Sequence, residues 1–260
     1  MMKTVTEIKA EIAGIKSLTQ LESCEFINDT RKGVILALKK QRRLIEKEQL
    51  LIEKYEKMST YENNLRSNHP HIAGVDEAGR GPIAGEVVAA AVVLPEGFRL
   101  IGLDDSKKLS SEKRMSFRKI IMQEADYAVG VASVIEIENL NIYEASRLAM
   151  GRAVQGLQHP PHHLLVDAMT VGGDIPETSI IKGDSNSVSI AAASVIAKTE
   201  RDLMMEAYDQ VYPGYNFKTH KGYGTKSHLK SLDQLGTSPI HRKTFEPVKK
   251  YIDSQRIQLH

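Results

Sequence analysis

The sequence predicts an α/β protein whose strands come first in hairpins and later alternate with helices. A short apolar run, Ile72 to Val75, ends on Asp76 and Glu77, passes a turn marked by Gly79, Gly81 and Pro82, and is followed by a second run, Glu86 to Leu94. Strand, acidic pair, tight turn and strand read as an antiparallel hairpin with charge at its lip. Further along, apolar runs of strand length alternate with stretches of helical periodicity. Ahead of both lies a long helix-forming arm.

Taken in order, Thr4-Val-Thr-Glu7 is a capping box that opens a short helix. Val5, Ile8, Ile12 and Ile15 give that helix one apolar face. From about Val34 to Arg66 the chain is almost continuously helix-forming, with Leu38, Ile45, Ile52 and Tyr55 as a stripe and Glu53 and Lys57 as an i,i+4 pair. Ser67-Asn-His-Pro70-His breaks it, so residues 1–68 are expected to be an N-terminal helical extension and 69–260 the main domain. The arm reads either as a solvated helical appendage or as a nucleic-acid-binding module. After the hairpin, the polar loop Asp104 to Ser110 leads into a helix over 111–125, and 127–136 reads as a third strand. Asn139 to Leu157 reads as a helix with Ile142, Ala145, Leu148 and Ala149 on one face, stopped by Pro160-Pro161. Leu164 to Asp167 is another short apolar run ending in a carboxylate, and Ser179 to Asp184 is a third. Ser187 to Tyr208 forms a long helix with the small residues Ala191, Ala192, Ala193 and Ala197. Residues 213–260 are basic and rich in turns and short helices.

At 260 residues the chain suits one large domain with an appendage. A charged content of 26% and the lack of any apolar run near the ~18 residues of a spanning helix argue against a membrane protein. The first residues show no signal-peptide apolar core. Cys24 is the only cysteine, which excludes an internal disulfide and a thiolate metal cage, and a cytoplasmic location is expected. Residues 1–71 carry 13 Lys/Arg against 10 Asp/Glu (+3), residues 72–181 carry 10 against 15 (−5), and residues 182–260 carry 12 against 8 (+4). An acidic centre between basic flanks suits a cation site bordered by surfaces for a polyanion, and also suits chance segregation.

Alternation along a strand sends Asp76 and Glu77 to opposite faces, so only one can point straight into a site. Two acids at a strand end also read as plain solvated charge. The nearby glycines favour a backbone that something approaches closely. No Lys-Ser/Thr follows at P-loop spacing. Strand ends on one edge of a sheet converge, and Asp76, Glu77, Asp167 and Asp184 brought together repel unless a cation neutralises them. Hard divalent ions prefer oxygen ligands, so the expected site holds one or two Mg²⁺ or Mn²⁺ ions. The nine histidines lack metal-ligand spacing, and His162-His163 and the others are expected at the surface.

Several ordered motifs together resemble the ribonuclease HII family, the bacterial type 2 ribonucleases H, over about Ile72 to Val248. They are Val-Asp76-Glu77-Ala-Gly79-Arg80-Gly81-Pro, Asp105-Ser-Lys107-Lys-Leu, Leu-Val-Asp167-Ala, Lys-Gly-Asp184, Ala-Ala-Ser194-Val-Ile-Ala-Lys198 with Arg201-Asp, and Gly222-Tyr223-Gly-Thr. The resemblance implies a ribonuclease H-like mixed sheet flanked by helices, with Asp76, Glu77, Asp167 and Asp184 as catalytic metal ligands. It implies that the Gly79-Arg80-Gly81 turn senses a ribose 2′-OH, and that Tyr223 packs on the sugar at the ribonucleotide–deoxyribonucleotide junction. The sister family, ribonuclease HIII, is expected to depart at this turn and to lack the tyrosine. Lys107, Ser194 and Lys198 become further substrate-binding candidates, and Arg80 a phosphate contact. Read alone, a single Lys is usually solvated and Tyr223 reads as a core aromatic.

The implied activity is a metal-dependent endoribonuclease acting on RNA/DNA hybrids and on single ribonucleotides embedded in duplex DNA. It would cut 5′ of the ribonucleotide and leave a 3′-OH and a 5′-phosphate. Two-metal chemistry needs no protein general base, which agrees with the lack of a Ser-His-Asp constellation. Another two-metal nuclease of the same fold and a non-catalytic nucleic-acid-binding protein are the alternatives. No membrane partner and a monomer are expected.

Overall fold

The computed structural model describes residues 3–258, so the end of the basic C-terminal region, residues 259–260, lies outside the described residues. Contacts divide the chain into two units, Met1–Lys57 and Met58–His260.

The first unit contains α1 (Val5–Ala13), α2 (Leu18–Glu22) and nearly all of α3 (Lys32–Met58). Thr4 and Glu7 form the expected capping box. Ile8, Ile12, Leu21, Phe26, Val34, Leu38 and Ile45 make a small core, with Val5 and Ile15 packed against it. An open groove of about 560 Å³ here is lined by Leu36, Leu44, Lys9, Lys16 and Lys40 among others, and contains none of the predicted site residues.

The arm is not one helix. α3 ends at Met58 and α4 (Thr60–Arg66) starts anew after Ser59. α4 belongs to the second unit, where Glu62 is buried.

The hairpin forms as expected: β1 (Ile72–Ala78) pairs antiparallel with β2 (Val87–Val93). Asp76 and Glu77 lie inside the pairing, opposite Ala90 and Ala89, rather than beyond the strand's end. After α5 (Ser111–Glu124), β3 covers Asp126–Ala132 and stops short of the expected 136. Ser133 and Glu136 form a capping box that starts α6 (Val134–Leu140). Asn141, at φ 76°, separates α6 from α7 (Ile142–Gln155), so the single helix expected over 139–157 is two pieces. α7 ends at Gly156, ahead of the prolines expected to stop it. β4 (His163–Asp167) lies parallel to β1, and β5 (Glu177–Ile180) parallel to β4. The sheet order is β3-β2-β1-β4-β5. α8 (Val188–Val211), α9 (Phe217–His220), α10 (Lys226–Leu235) and α11 (Val248–Gln258) complete the chain.

Two-residue alternation sorts β1 into two faces. Ala73 and Val75 join Ala145, Ala149, Met150 and Ala153 of α7 in one core. The other face carries Ile72, Gly74 and Asp76 toward α8, whose first turn is so close that a Cβ on Gly74 would fall 2.0 Å from the Ser189 carbonyl carbon. The small residues of α8 therefore let it lie against the strand that bears the acids. No described helix is long and apolar enough to cross a membrane.

Candidate active site

Asp76 is buried on the α8 side of β1, and its Oδ1 accepts the Glu77 N–H at 2.8 Å. Burial first, then the charges of Glu77 and Asp167, push its carboxyl well above the usual range, against the Ser194 hydroxyl and the Glu77 amide. Glu77 is also raised by burial, opposed by Arg80, whose Nη1 lies 3.4 Å from Glu77 Oε1. Glu77 Oε2 is buried with no hydrogen-bond partner.

Asp167 closes β4 and accepts the Gly183 N–H at 2.6 Å. Burial again raises its pKa. The third acid is not at a strand end: β5 stops at Ile180, Lys182 takes a left-handed φ of 55°, and Asp184 sits in a 3₁₀ turn, Gly183–Ser185, before α8. Asp184 is buried, and burial together with Asp105 and Asp167 raises its pKa to about 6.

All four predicted carboxylates are raised by burial and by a neighbouring acid: Asp76 by Glu77 and Asp167, Glu77 by Asp167, Asp167 by Asp105, and Asp184 by Asp105 and Asp167. As placed, no three His, Cys, Asp or Glu among the described residues are arranged to hold one ion. The donor chemistry still fits a hard cation: the groups are oxygen donors, they repel one another, and Glu77 Oε2 has a free lone pair in a buried place. Asp105 is a fifth acid that the sequence reading did not assign to the site, although its motif carried the resemblance. It reads locally as a turn acid, and its Oδ1 does accept the Lys107 N–H at 2.9 Å.

Lys107 is exposed but lies in the field of Asp105, Asp76, Asp184 and Asp167, which together hold its pKa up against partial burial. Its loop is anchored by Arg114, which donates to the Ser106 and Leu109 carbonyls at 2.8 and 2.6 Å. Ser194 is buried, 2.9 Å from the Ser106 hydroxyl, so it supports Asp76 and this loop from α8. Lys198 is turned to Asp202 at 2.6 Å, and burial lowers its pKa.

Gly79 has a structural reason of its own. Its φ is 102°, and a Cβ there would fall 2.2 Å from Arg201 Nε. At Gly81 a Cβ would stand 3.6 Å from Tyr223 Cε1, which places the tyrosine ring beside the turn. Tyr223 is 45% exposed and is not a core aromatic.

Two buried arginines hold the turn: Arg201 stands in a motif that carried the resemblance but was given no role, and Arg242 has no local sequence signal. Arg242 is fully buried and donates to the carbonyls of Gly79 (2.6 Å), Arg80 (3.1 Å), Pro82 (2.8 Å) and Gly85 (2.8 Å). Arg201 donates to the carbonyls of Glu86, Ala84 and Lys221. Histidines also depart from expectation: His163, His220, His228 and His241 are buried, although His162 is exposed.

Residues 73–248 match the family model for ribonuclease HII, and residues 4–66 match that for the ribonuclease HII N-terminal domain. The ribonuclease HII of Staphylococcus saprophyticus is 48% identical over 256 residues, covering 97% of this chain and 100% of that one. That of Staphylococcus epidermidis is 50% identical over 252 residues, covering 96% and 98%. Among solved structures, ribonuclease H2 from Pyrococcus horikoshii is similar with a TM-score of 0.62 and 27% identity over 72% of this chain and 99% of that one. Bst-RNase HIII in complex with Mn²⁺ shares the fold at a TM-score of 0.57 and 19% identity, over 72% and 70%.

Proposed function

The chain belongs to the ribonuclease HII family and is a ribonuclease H, and we propose that it cuts 5′ of single ribonucleotides in duplex DNA as well as RNA in RNA/DNA hybrids. The carrying observation is the group of mutually repelling carboxylates Asp76, Glu77, Asp167 and Asp184, the first and last buried and the other two partly so, beside a glycine turn that faces an exposed Tyr223. A binding protein gains nothing from such a cluster next to a phosphate backbone.

In this reading Asp76, Glu77, Asp167 and Asp184 hold Mg²⁺ or Mn²⁺, the latter being the ion in the Bst-RNase HIII complex. When bound, such ions supply Lewis-acid polarisation of the phosphate and a nucleophile at neutral pH. Water's oxygen joins phosphorus, the bond to the preceding 3′ oxygen breaks, and that oxygen takes a proton, leaving a 3′-OH and a 5′-phosphate. The chain's own residues orient the substrate. Main-chain groups of Gly79 to Gly81 meet the 2′-OH, which both donates and accepts. Tyr223 lies against the following deoxyribose, where the missing hydroxyl leaves room for the ring. Arg80 and Lys107 attract phosphates. The enzyme works as a monomer in the cytoplasm, and the N-terminal helices up to Lys57 form an extension outside the catalytic domain, to which α4 belongs.

Asp76→Asn and Asp167→Asn test this. Each should remove nearly all cleavage with Mg²⁺ while duplex binding stays equal or tightens, because a repulsive charge is gone. Near-normal rates in both would refute the carboxylate assignment.

A further inference from the structure

Tyr223 combines an exposed ring with a main chain fixed from every side. Its N–H donates to the His220 carbonyl at 2.9 Å, and its carbonyl accepts the Thr225 N–H at 2.8 Å. The same carbonyl lies 2.9 Å from His228 Nδ1. His228 Nε2 lies 3.0 Å from His241 Nε2, and His241 Nδ1 lies 2.9 Å from the Ser238 main-chain N and 2.8 Å from its hydroxyl.

The hydrogen positions in this chain follow from its two ends. The Ser238 amide can only donate, so His241 Nδ1 accepts and the His241 proton sits on Nε2. That proton goes to His228 Nε2, which leaves the His228 proton on Nδ1. The Tyr223 carbonyl can only accept, and it receives that proton. Every link is satisfied by neutral rings in one orientation alone. Protonating either ring, or reversing one tautomer, sets two donors or two acceptors face to face.

The rings are also fixed by packing. His228 and His241 are fully buried. His220 stacks on His228 with ring centres 4.1 Å apart, and Phe217 presents an edge or a tilted face to all three histidines at 5.4–5.7 Å. His220 Nδ1 accepts the Gly222 N–H at 3.2 Å, and its Nε2 donates to the Tyr215 carbonyl at 2.7 Å, so it too is held as one neutral tautomer.

The segment that begins this chain also reaches the opposite wall. His241 forms a β-bridge with Ala84, Gly85 N–H donates to the Ile240 carbonyl, and Arg242 grips the Gly79–Gly85 turn from behind. Ile83 N–H donates to the Gly222 carbonyl at 2.9 Å, next to Tyr223. The turn and the tyrosine are thereby referenced to a single stretch, Ser238 to Arg242.

We propose that His241 and His228 are positioning residues for junction recognition: through their hydrogen-bonded chain from Ser238 they set the place of Tyr223 against the Gly79-Arg80-Gly81 turn. This rests on the reading above that Tyr223 packs on the deoxyribose following a ribonucleotide. Neither histidine touches substrate, and neither moves a proton in the reaction.

The test compares single-turnover cleavage of a DNA duplex with one ribonucleotide and of an all-RNA/DNA hybrid, in the full-length protein. His228→Leu removes the donor to Tyr223, and His228→Asn restores an N–H near the Nδ1 position. For His228→Leu the single-ribonucleotide rate should fall about tenfold more than the hybrid rate, the loss expected for one misplaced contact. His228→Asn should recover most of that ratio. Equal losses on both substrates would mean a merely structural role and overturn the proposal, as would an unchanged ratio. If His228→Leu does not fold, His241→Phe breaks the chain one link earlier and must lower the same ratio, and an unchanged ratio there is equally fatal. Tyr223→Ala separates the two levels. If it leaves the ratio unchanged, the junction reading itself fails. If it lowers the ratio and the histidine variants do not, only the relay fails.

Discussion

Glu62 Oε1 accepts the Ser189 main-chain N–H at 3.0 Å and the Ser189 hydroxyl at 2.6 Å, and takes the Ser187 hydroxyl at 2.6 Å as well. A carboxylate at the start of α8 satisfies amides that the helix leaves open, and its charge suits the positive end of the helix dipole. Leu65 adds an apolar contact to the cluster of Ile72, Leu165, Ile180 and Ile190.

A chain beginning at Met58 should therefore be more stable than one beginning at His69. The shorter fragment loses Glu62 and Leu65 and should unfold at lower denaturant, by at least about 1–3 kcal/mol for the unpaired groups alone. Equal midpoints in urea would show that α4 contributes nothing to the second unit.

The buried histidines give a pH dependence with a definite sign. Burial first, with neighbouring histidines adding, depresses the folded pKa of His228 and His241 to about 4, and burial alone lowers that of His220 against the Tyr215 carbonyl and Asp209. The unfolded chain takes up protons near 6.5 while the folded one does not, so stability is full above about 6.5 and is lost as pH falls toward 4. The two fully buried rings contribute at most about 3 kcal/mol each. The raised carboxylates Asp76 and Asp184 shift stability the opposite way over the same range, so the histidine contribution is read by comparison: in denaturant titrations at pH 7.5 and 5, His228→Asn should lose less stability on acidification than the wild type. An identical pH dependence in both would contradict neutral burial.

How much of this was legible in the sequence depended on the range of the forces involved. The β1–β2 hairpin and the Thr4–Glu7 box are local, and their residues announce them. Asp76, Glu77 and Asp167 stood at the ends of apolar runs, so the sheet's geometry brought them near one another. Asp184 was singled out although its element was misread, because the left-handed Lys182 and the 3₁₀ turn leave little trace in composition. The strand expected to run to 136 failed because Val134 and Ile135 look like strand residues, while the Ser133–Glu136 box starts a helix. Arg242, His228 and His241 were invisible for a different reason. Their partners lie far along the chain or behind a turn, and a buried polar residue looks like a surface one until the fold covers it.

The two lysine candidates should separate. Lys198 is engaged by Asp202, whereas Lys107 stands among the site's carboxylates. Lys107→Ala should lower cleavage about tenfold, and Lys198→Ala by no more than roughly threefold, the scale of one surface ion pair. Steady-state rates at fixed salt check this, and the reverse order would move the phosphate contact to α8.

Arg242→Met should leave the carbonyls of Gly79, Arg80, Pro82 and Gly85 without their donor in a buried place. A loss of at least about 3 kcal/mol is expected, together with loss of cleavage. Circular dichroism melts would reveal it, and wild-type stability would show that the turn holds itself.

The most direct measurement maps the cut in a DNA duplex with one ribonucleotide, beside the same duplex without the 2′-OH and an all-RNA/DNA hybrid, in Mg²⁺ and in Mn²⁺. Cleavage on the 5′ side of the lone ribonucleotide, with a 3′-OH and a 5′-phosphate, loss of that cleavage in Tyr223→Ala beyond the loss in Lys107→Ala, and no cut in the all-deoxy duplex are the predicted results. Cleavage of the hybrid alone would contradict recognition by the Gly79-Arg80-Gly81 turn and Tyr223, and would mean that the enzyme reads duplex shape instead.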